Sequence, residues 1–551
     1  LGVADGIGAG LGQRGELTAR FGHINEQAEP SQEFNRLKAS IKTYKKIIHL
    51  PLQPNENARS FTLPNQTRKV TENKIVRAIS PGSFEAEAHW YPKALNATIH
   101  PLVSFFLNLS TERIVSRYCH LNPKTDKMVL LEMLNYECKY FLWSGADLIH
   151  ATTAEGNRRM VVIENNSCPS GQKSMPLLDD HQEEGGYRRL VERTFLPYVN
   201  RKAGGPKVEG RLAVIYDKNP METTGYAAII AEVFKEEVLL ITDYDGADSR
   251  NLKLEDNQLH ARVGEEWVPL RAAFRYVTQK PWNRLPMNCR TKILNPIVAC
   301  LAGGRNKMVA AKAYDFFNGE LNGSGLKIHA PETIRDVAKN EIPLWVARWG
   351  GLAVVKIPYS NAGQGVYTIT NEKELEAFMA TDIHYDRYIV QSLIGNYQWS
   401  SNSSSGRYFH VGTIPNKQGK THVCDIRLMV SSTKNGIRPL ACYSRRAKKP
   451  LADLLTGNDD SWAMLGTNLS EKLGDNQWSS DVNRLLLMDR RDFNRMGVGL
   501  DDLIEAFIQT VLSTIAIDKM AKQLYTKKGK FSMRLFKSLN DDAALIDEIL
   551  P

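Results

Sequence analysis

Long hydrophobic runs are missing from this 551-residue chain. The longest apolar stretches, such as Val161–Ile163, Tyr226–Ala231 and Val238–Ile241, fall far short of the roughly 20 residues that span a bilayer as a helix. No membrane partner is expected. Cysteine is scarce and scattered: seven residues, at 119, 138, 168, 289, 300, 424 and 442, with no CxxC pair. That excludes a zinc ribbon or a disulfide framework and points to a reducing, cytoplasmic setting. Residues 1–12 are glycine-rich and lack a charged start followed by an apolar core, so no secretory signal is read there. Sequons such as those at Asn96 and Asn108 are accordingly read as chance matches. Clustered basic runs are few as well. The net charge is +10, yet the basic residues are dispersed apart from groups such as Arg445-Arg446-Ala447-Lys448-Lys449, and Trp and Tyr are not interleaved with Lys/Arg runs. Nucleic acid is therefore not expected as a partner. Dispersed positive charge suits small polyanionic substrates.

What is present is an ordinary globular composition, 42% hydrophobic and 24% charged, in a chain too long for one core. Residues 31–48 predict an amphipathic helix, with Phe34, Leu37, Ile41, Tyr44 and Ile48 on one face. Residues 51–88 read as a linker or irregular wrap, and 93–147 as a helical block. A strand is expected from Met160 to Glu164, ending in a polar turn. Residues 211–245 read as strand, helix and strand, the start of an α/β unit. A hairpin is expected over Leu252–Val268 and a strand over Ala272–Val277. Residues 305–318 read as a helix, and strands dominate from Val354 to Met429, with a helix at Glu372–Ala380. Residues 396–407 and 456–481 read as mobile loops. Leu500, Leu503, Ile504, Phe507, Val511, Leu512 and Ile515 form the apolar stripe of a closing helix.

The segment Leu352–Val366 is the most informative. An apolar strand ends in Lys356, followed by a loop of small residues and a second strand. Alternation puts Val354 and Lys356 on one face. A lysine on an apolar strand is costly to bury unless it meets an anion. Gly363 and Gly365 let backbone N–H groups approach phosphate oxygens. A plain hairpin with a snorkelling lysine is the alternative. Tyr388–Ile394 is a strand that turns polar at Gln391, fit either for an adenine edge or for an ordinary strand end. In His422–Val430, Asp425 and Arg427 share a strand face. They suggest a metal ligand beside a phosphate-binding cation, or else a structural salt bridge. The next strand runs into Arg445, read as further charge at the same edge or as a solvated turn. Arg275, at a separate strand end, is a candidate for a substrate carboxylate or a surface ion pair.

In this order the segments resemble the ATP-grasp superfamily. The resemblance implies that Lys356 and the Gly363-Gln364-Gly365 loop cover a triphosphate, that Gln391 meets adenine, and that Lys307, after Gly303-Gly304-Arg305-Asn306, touches phosphate. The Glu-x-Asn metal motif stands early, as Glu164-Asn165-Asn166, followed by Pro169-Ser170-Gly171. This is similar to the circularly permuted branch akin to glutathionylspermidine synthase-type and other peptide-forming ligases; read alone, it is a capped turn after a strand. The implied fold class is α/β (α+β), with a nucleotide between two α/β subdomains and a helical N-terminal extension. The implied divisions are an extension and linker (1–88), a helical segment with the metal strand (89–205) and an α/β substrate domain (206–295). A small (296–395) and a large (396–530) ATP-grasp subdomain and a tail (531–551) follow. The implied function is ATP-dependent carboxylate–amine ligation through an acylphosphate, releasing ADP and phosphate. Arg427 and Arg445 serve the transfer, Arg275 and Ser170 the substrate, and Glu164, Asn166 and Asp425 one or two Mg²⁺ (or Mn²⁺). The partners are a small carboxylate and an amine. A phosphotransferase on the same fold is the alternative. A non-catalytic nucleotide binder is disfavoured because the expected charged positions are all present.

Overall fold

The computed structural model describes residues 76–179, 181–201, 208–242, 251–276, 285–360, 363, 365–474 and 477–549. The helix expected at 31–48, and residue 364, lie outside them. After a strand at Arg77–Ile79 and single-turn helices at Ala86–His89 and Pro92–Leu95 come three helices: Pro101–Leu107 (α1), Thr111–Leu121 (α2) and Lys127–Leu134 (α3). Ser110 and Asp126 cap the second and third by accepting from backbone amides of their first turns. The helical block ends there, short of residue 147. Trp143–Thr153 (β1) and Arg158–Ser167 (β2) instead form a long antiparallel pair. The run around Gly145 is buried on both faces, so its apolar content carries no helical period.

Next come Arg211–Tyr216 (β3), Pro220–Phe234 (α4), Val238–Ile241 (β4) and Glu266–Tyr276 (β5). The helix starts at Pro220, since proline at the first turn lacks only an N–H with no intrahelical acceptor. In β3 the segment Leu212–Tyr216 is buried throughout, as suits a strand flanked by parallel neighbours on both sides. The Leu252–Val268 segment is a three-strand meander rather than one hairpin: Leu252–Glu255 pairs with Gln258–Val263, which pairs in turn with β5. These strands, with Arg77–Ile79 and Lys292–Leu294, make a seven-stranded sheet.

The chain continues through Lys307–Glu320 (α5), Thr333–Ala338 (β6), Ile342–Arg348 (α6), Ala353–Lys356 (β7), Val366–Ile369 (β8), Glu372–Met379 (α7) and Arg387–Ser392 (β9). A four-stranded sheet in the order β6-β9-β7-β8 results. It has a small core of its own, in which Val337, Ile342, Trp349, Val355, Phe378 and Val390 pack. Alternation along β7 sends Ala353 and Val355 into that core and leaves Val354 and Lys356 on the opposite face.

Cys424–Thr433 (β10) and Gly436–Arg446 (β11) return to β1. A six-stranded sheet runs Tyr408–His410, β1, β10, β11, Leu485–Leu486, with β2 on β1. Leu500–Gln523 (α8) is the closing helix, and Leu503, Ile504, Phe507, Val511, Leu512 and Ile515 are buried in it. It covers one face of this sheet, where Ile426, Leu428 and Val430 share its core and Asn165 donates to Ser513 at 2.9 Å. Asp518 of α8 is fully buried. It accepts from the backbone N–H groups of Lys139, Tyr140 and Phe141 at 3.0, 2.7 and 2.9 Å and so fixes the entry into β1. Residues 396–407 are pinned rather than loose: Trp399 and Ser401 are buried, and the Leu393 amide donates to Ser401. Among the described residues no helix is long and apolar enough to cross a membrane.

Candidate active site

The face of the six-stranded sheet away from α8 meets the outer face of β7 across a cavity of about 300 Å³. Register decides what lines it. One cross-strand row reads Glu164, Asp147, Arg427, Tyr443. The next reads Val161, Ile149, Asp425, Arg445. Directly opposed residues share a face, so Asp147 and Asp425 come beside Arg427 and Arg445 at the centre of the wall, with Glu164 at its edge.

These four central groups are tightly paired. Arg427 makes a two-pronged contact with Asp147, Nε to Oδ1 at 2.6 Å and Nη2 to Oδ2 at 2.7 Å. Arg445 Nη2 reaches the same Asp147 at 2.9 Å and also pairs with Asp425, its Nε standing 3.1 Å from Oδ1. Thr467 adds a hydroxyl to Asp425 at 2.9 Å. Burial opposes the ionisation of Asp147, but Arg427 and Arg445 outweigh it and hold its carboxyl well below the usual range. Asp425 is fully enclosed.

Across the cavity Lys356 donates to the Ile163 carbonyl at 2.9 Å, tying β7 to β2. Burial, helped by Lys307, lowers its pKa to about 8, although Glu164 opposes the shift. Lys307 opens α5, donates to the carbonyl and hydroxyl oxygens of Ser360 at 3.2 and 3.0 Å, and stands 3.5 Å from Glu164. Gly363, at φ 75°, lines the cavity, and Gly365, at φ 69°, turns the chain into β8. Gln391 faces the cavity from β9 and donates to Thr333 at 2.8 Å.

Ser170 lines the far end. Its hydroxyl donates to Glu222 at 2.9 Å, while its carbonyl accepts from Arg427 at 3.2 Å and from the Tyr443 hydroxyl at 2.9 Å. Glu222, buried in the first turn of α4, also accepts from the amides of Gly171 and Lys173 at 2.8 and 3.1 Å and from the Tyr276 hydroxyl. Gly171 is required here: at φ 142° a Cβ would stand 2.0 Å from Tyr443.

Two expected positions sit differently. Arg275 is fully buried and absent from the cavity wall. Its guanidinium donates to the Asn295 carbonyl at 2.5 Å and to Ser167 and Cys300 at 3.0 and 3.3 Å, so it braces the core behind the site. The carboxylate opposite Glu164 is Asp147, whereas Asp425 lies one row on and two strands away. Among the described residues no three His, Cys, Asp or Glu side chains gather as a metal cluster. The donors that do come together are the carboxylates of Asp147 and Glu164 and the amide of Asn166, whose buried Nδ2 has no hydrogen-bond partner. Hard oxygen donors of this kind fit Mg²⁺.

No family model matches the chain, and no curated protein matches it. Solved structures do. One is a RimK domain ATP-grasp protein from Sphaerobacter thermophilus, 16% identical, covering 42% of this chain and 90% of that one at a TM-score of 0.25. Another is a glutathione synthetase-like effector from Globodera pallida, 9% identical, covering 64% and 86% at 0.34. A third, D-alanyl-alanine synthetase A from Vibrio cholerae, is 12% identical and covers 43% and 89% at 0.27.

Several cavity residues escape the sequence reading. Asp147 sits in an apolar run with no neighbouring motif; the one available signal is the cost of an acid in a buried strand, which demands a cation elsewhere. Tyr443 and Lys218 carry no local pattern. Thr467 and Asn468 come from the 456–481 segment, whose polar composition reads as loop although it supplies cavity wall.

Proposed function

We propose that this chain is an ATP-dependent carboxylate–amine ligase acting through an acylphosphate. The observation that carries the reading is the wall of the cavity. Two lysines, Lys307 and Lys356, face a row in which Glu164, Asp147 and Arg427 lie side by side. Carboxylates and cations alternating around one cavity suit a polyphosphate, because positioning and charge neutralisation are most of what phosphoryl transfer needs.

Lys307, Lys356 and the backbone at Gly363 and Gly365 hold the phosphates in this proposal. Gln391, with Leu393 and Ile394, takes the base. Asp147, Glu164 and Asn166 hold a Mg²⁺, which supplies further neutralisation of phosphate charge; Asp425 orients Arg445 instead of binding metal. Arg427, fixed by Asp147 and by the Ser170 carbonyl, steadies the oxygens of the phosphoryl group as the substrate carboxylate attacks it. The amine then displaces phosphate. The enclosed cavity limits water, which would hydrolyse the acylphosphate. Chain order supports a permuted arrangement, since Glu164 and Asn166 precede Lys356 yet line one cavity with it, and Glu164 lines a second cavity with Lys307 and Lys356.

The test is ADP release over a panel of carboxylate and amine pairs, with mass spectrometry of the product. Lys356→Ala and Asp147→Asn are each expected to lower turnover by about 100-fold or more. Wild-type rates in both variants, or a phosphorylated product in place of an amide, would refute the assignment.

A further inference from the structure

Beyond Arg427 the cavity wall carries positive charge for which the phosphoryl transfer has no use. Lys218 follows the carboxyl end of β3 and lines the cavity. Among the described residues its amine makes no hydrogen bond and no ion pair. The charged groups around it are Arg305, Arg427 and Lys173, with Asp217 beside it in the chain. Burial first and Arg305 next push its pKa down to about 8, with smaller help from Arg427 and Lys173 and against the pull of Asp217.

Lys173, itself buried, faces the same end. It donates to the side-chain carbonyl of Asn219 at 2.9 Å and lies 5.2 Å from the centre of the Tyr91 ring; neither partner is an anion. Arg305 lines the cavity and donates to the Ser167 carbonyl at 3.0 Å. Arg427 and Arg445, unlike the two lysines, are matched by Asp147 and Asp425. The two lysines thus hold their charge in a half-closed space with no carboxylate bound to either. Gathered ammonium groups repel one another and lose hydration, and an oxyanion placed between them relieves both costs. The site is on the β3 side of Arg427, whereas Lys356 stands across the cavity on β7.

We infer that Lys218 and Lys173, with Arg305, form an oxyanion subsite for the substrate, so that the ligase takes an acid bearing a second negative group, carboxylate or phosphate, besides the carboxyl that reacts. The inference rests on the ligase reading above.

Titration calorimetry on the full chain with Mg²⁺ and ADP separates the two. The probes are butyrate, glutarate and 3-phosphonopropionate, which present one or two anionic groups. Glutarate or 3-phosphonopropionate is expected to bind about tenfold or more tighter than butyrate, as a charge-assisted contact implies, and the tighter of the two identifies the oxyanion. Lys218→Met and Lys173→Met should each remove most of that preference while ADP affinity stays unchanged. Absence of a preference in the native chain, or a preference intact in both variants, overturns the subsite. Failure of ADP itself to bind the native chain overturns the ligase reading instead.

Discussion

Lys356 shows how a single side chain records its surroundings. Its amine is enclosed, close to Lys307 and bound to a carbonyl, and its pKa falls to about 8. The protonated form is the one that attracts phosphate. ATP affinity is therefore expected to be flat below about pH 7 and to weaken as pH rises through 8 to 9, measured by calorimetry at each pH. Lys356→Met should bind more weakly at pH 7 and lose that dependence; a slope unchanged in the variant assigns it to another group. For the empty protein the sign is opposite. The unfolded chain keeps the Lys356 proton over the interval above pH 8 in which the folded one has released it, so this group's contribution to stability rises with pH there. Lys356 was legible in the sequence because its strand and its loop are adjacent in the chain. Asp147 was not, because its partner Arg427 stands 280 residues away and nothing local marks an acid that only folding neutralises. Arg275 misled for the same reason: a strand-end arginine looks exposed until its buried acceptors are known.

At the level of elements, the turn after β2 couples α4 to the cavity wall. Glu222 gathers the Ser170 hydroxyl, two backbone amides and the Tyr276 hydroxyl, and the turn so fixed offers its Ser170 carbonyl to Arg427 and Tyr443. Glu222→Ala leaves those buried donors without an acceptor and is expected to cost about 3 kcal/mol or more in urea denaturation. Gly171→Ala drives a methyl into Tyr443 and should reduce turnover more than stability, because the ring next to Arg427 must move. Equal losses in both readouts would mean that the turn only holds the fold. Elements themselves were readable where one period ran long enough: the stripe of α8 and the alternation of β7 and β10 are as expected. They were misread where burial on both faces erased the period, as in β1, and where polar composition hid a packed segment, as at residues 396–407.

Across the whole molecule, the cavity is assembled from all three large sheets: Lys218 follows β3, Lys356 ends β7, and Asp147 with Arg427 comes from the six-stranded sheet. A ligand bound there braces parts with separate cores, so ADP with Mg²⁺ is expected to raise the melting temperature. At about 100 times its dissociation constant, linkage gives roughly 2.7 kcal/mol. Differential scanning fluorimetry with and without a chelator measures the shift, and Lys307→Ala with Lys356→Ala should abolish it.

The six-stranded sheet is stitched from the two ends of the described chain. The β1–β2 pair is synthesised early, and its partner β10 emerges about 280 residues later. At about 5–20 residues per second this is roughly 14 to 56 s on the ribosome. For that interval the β1 edge offers unpaired backbone groups to any passing strand. The same long separation that brings Arg427 to Asp147 leaves the nascent β1 edge open to mispairing until β10 arrives.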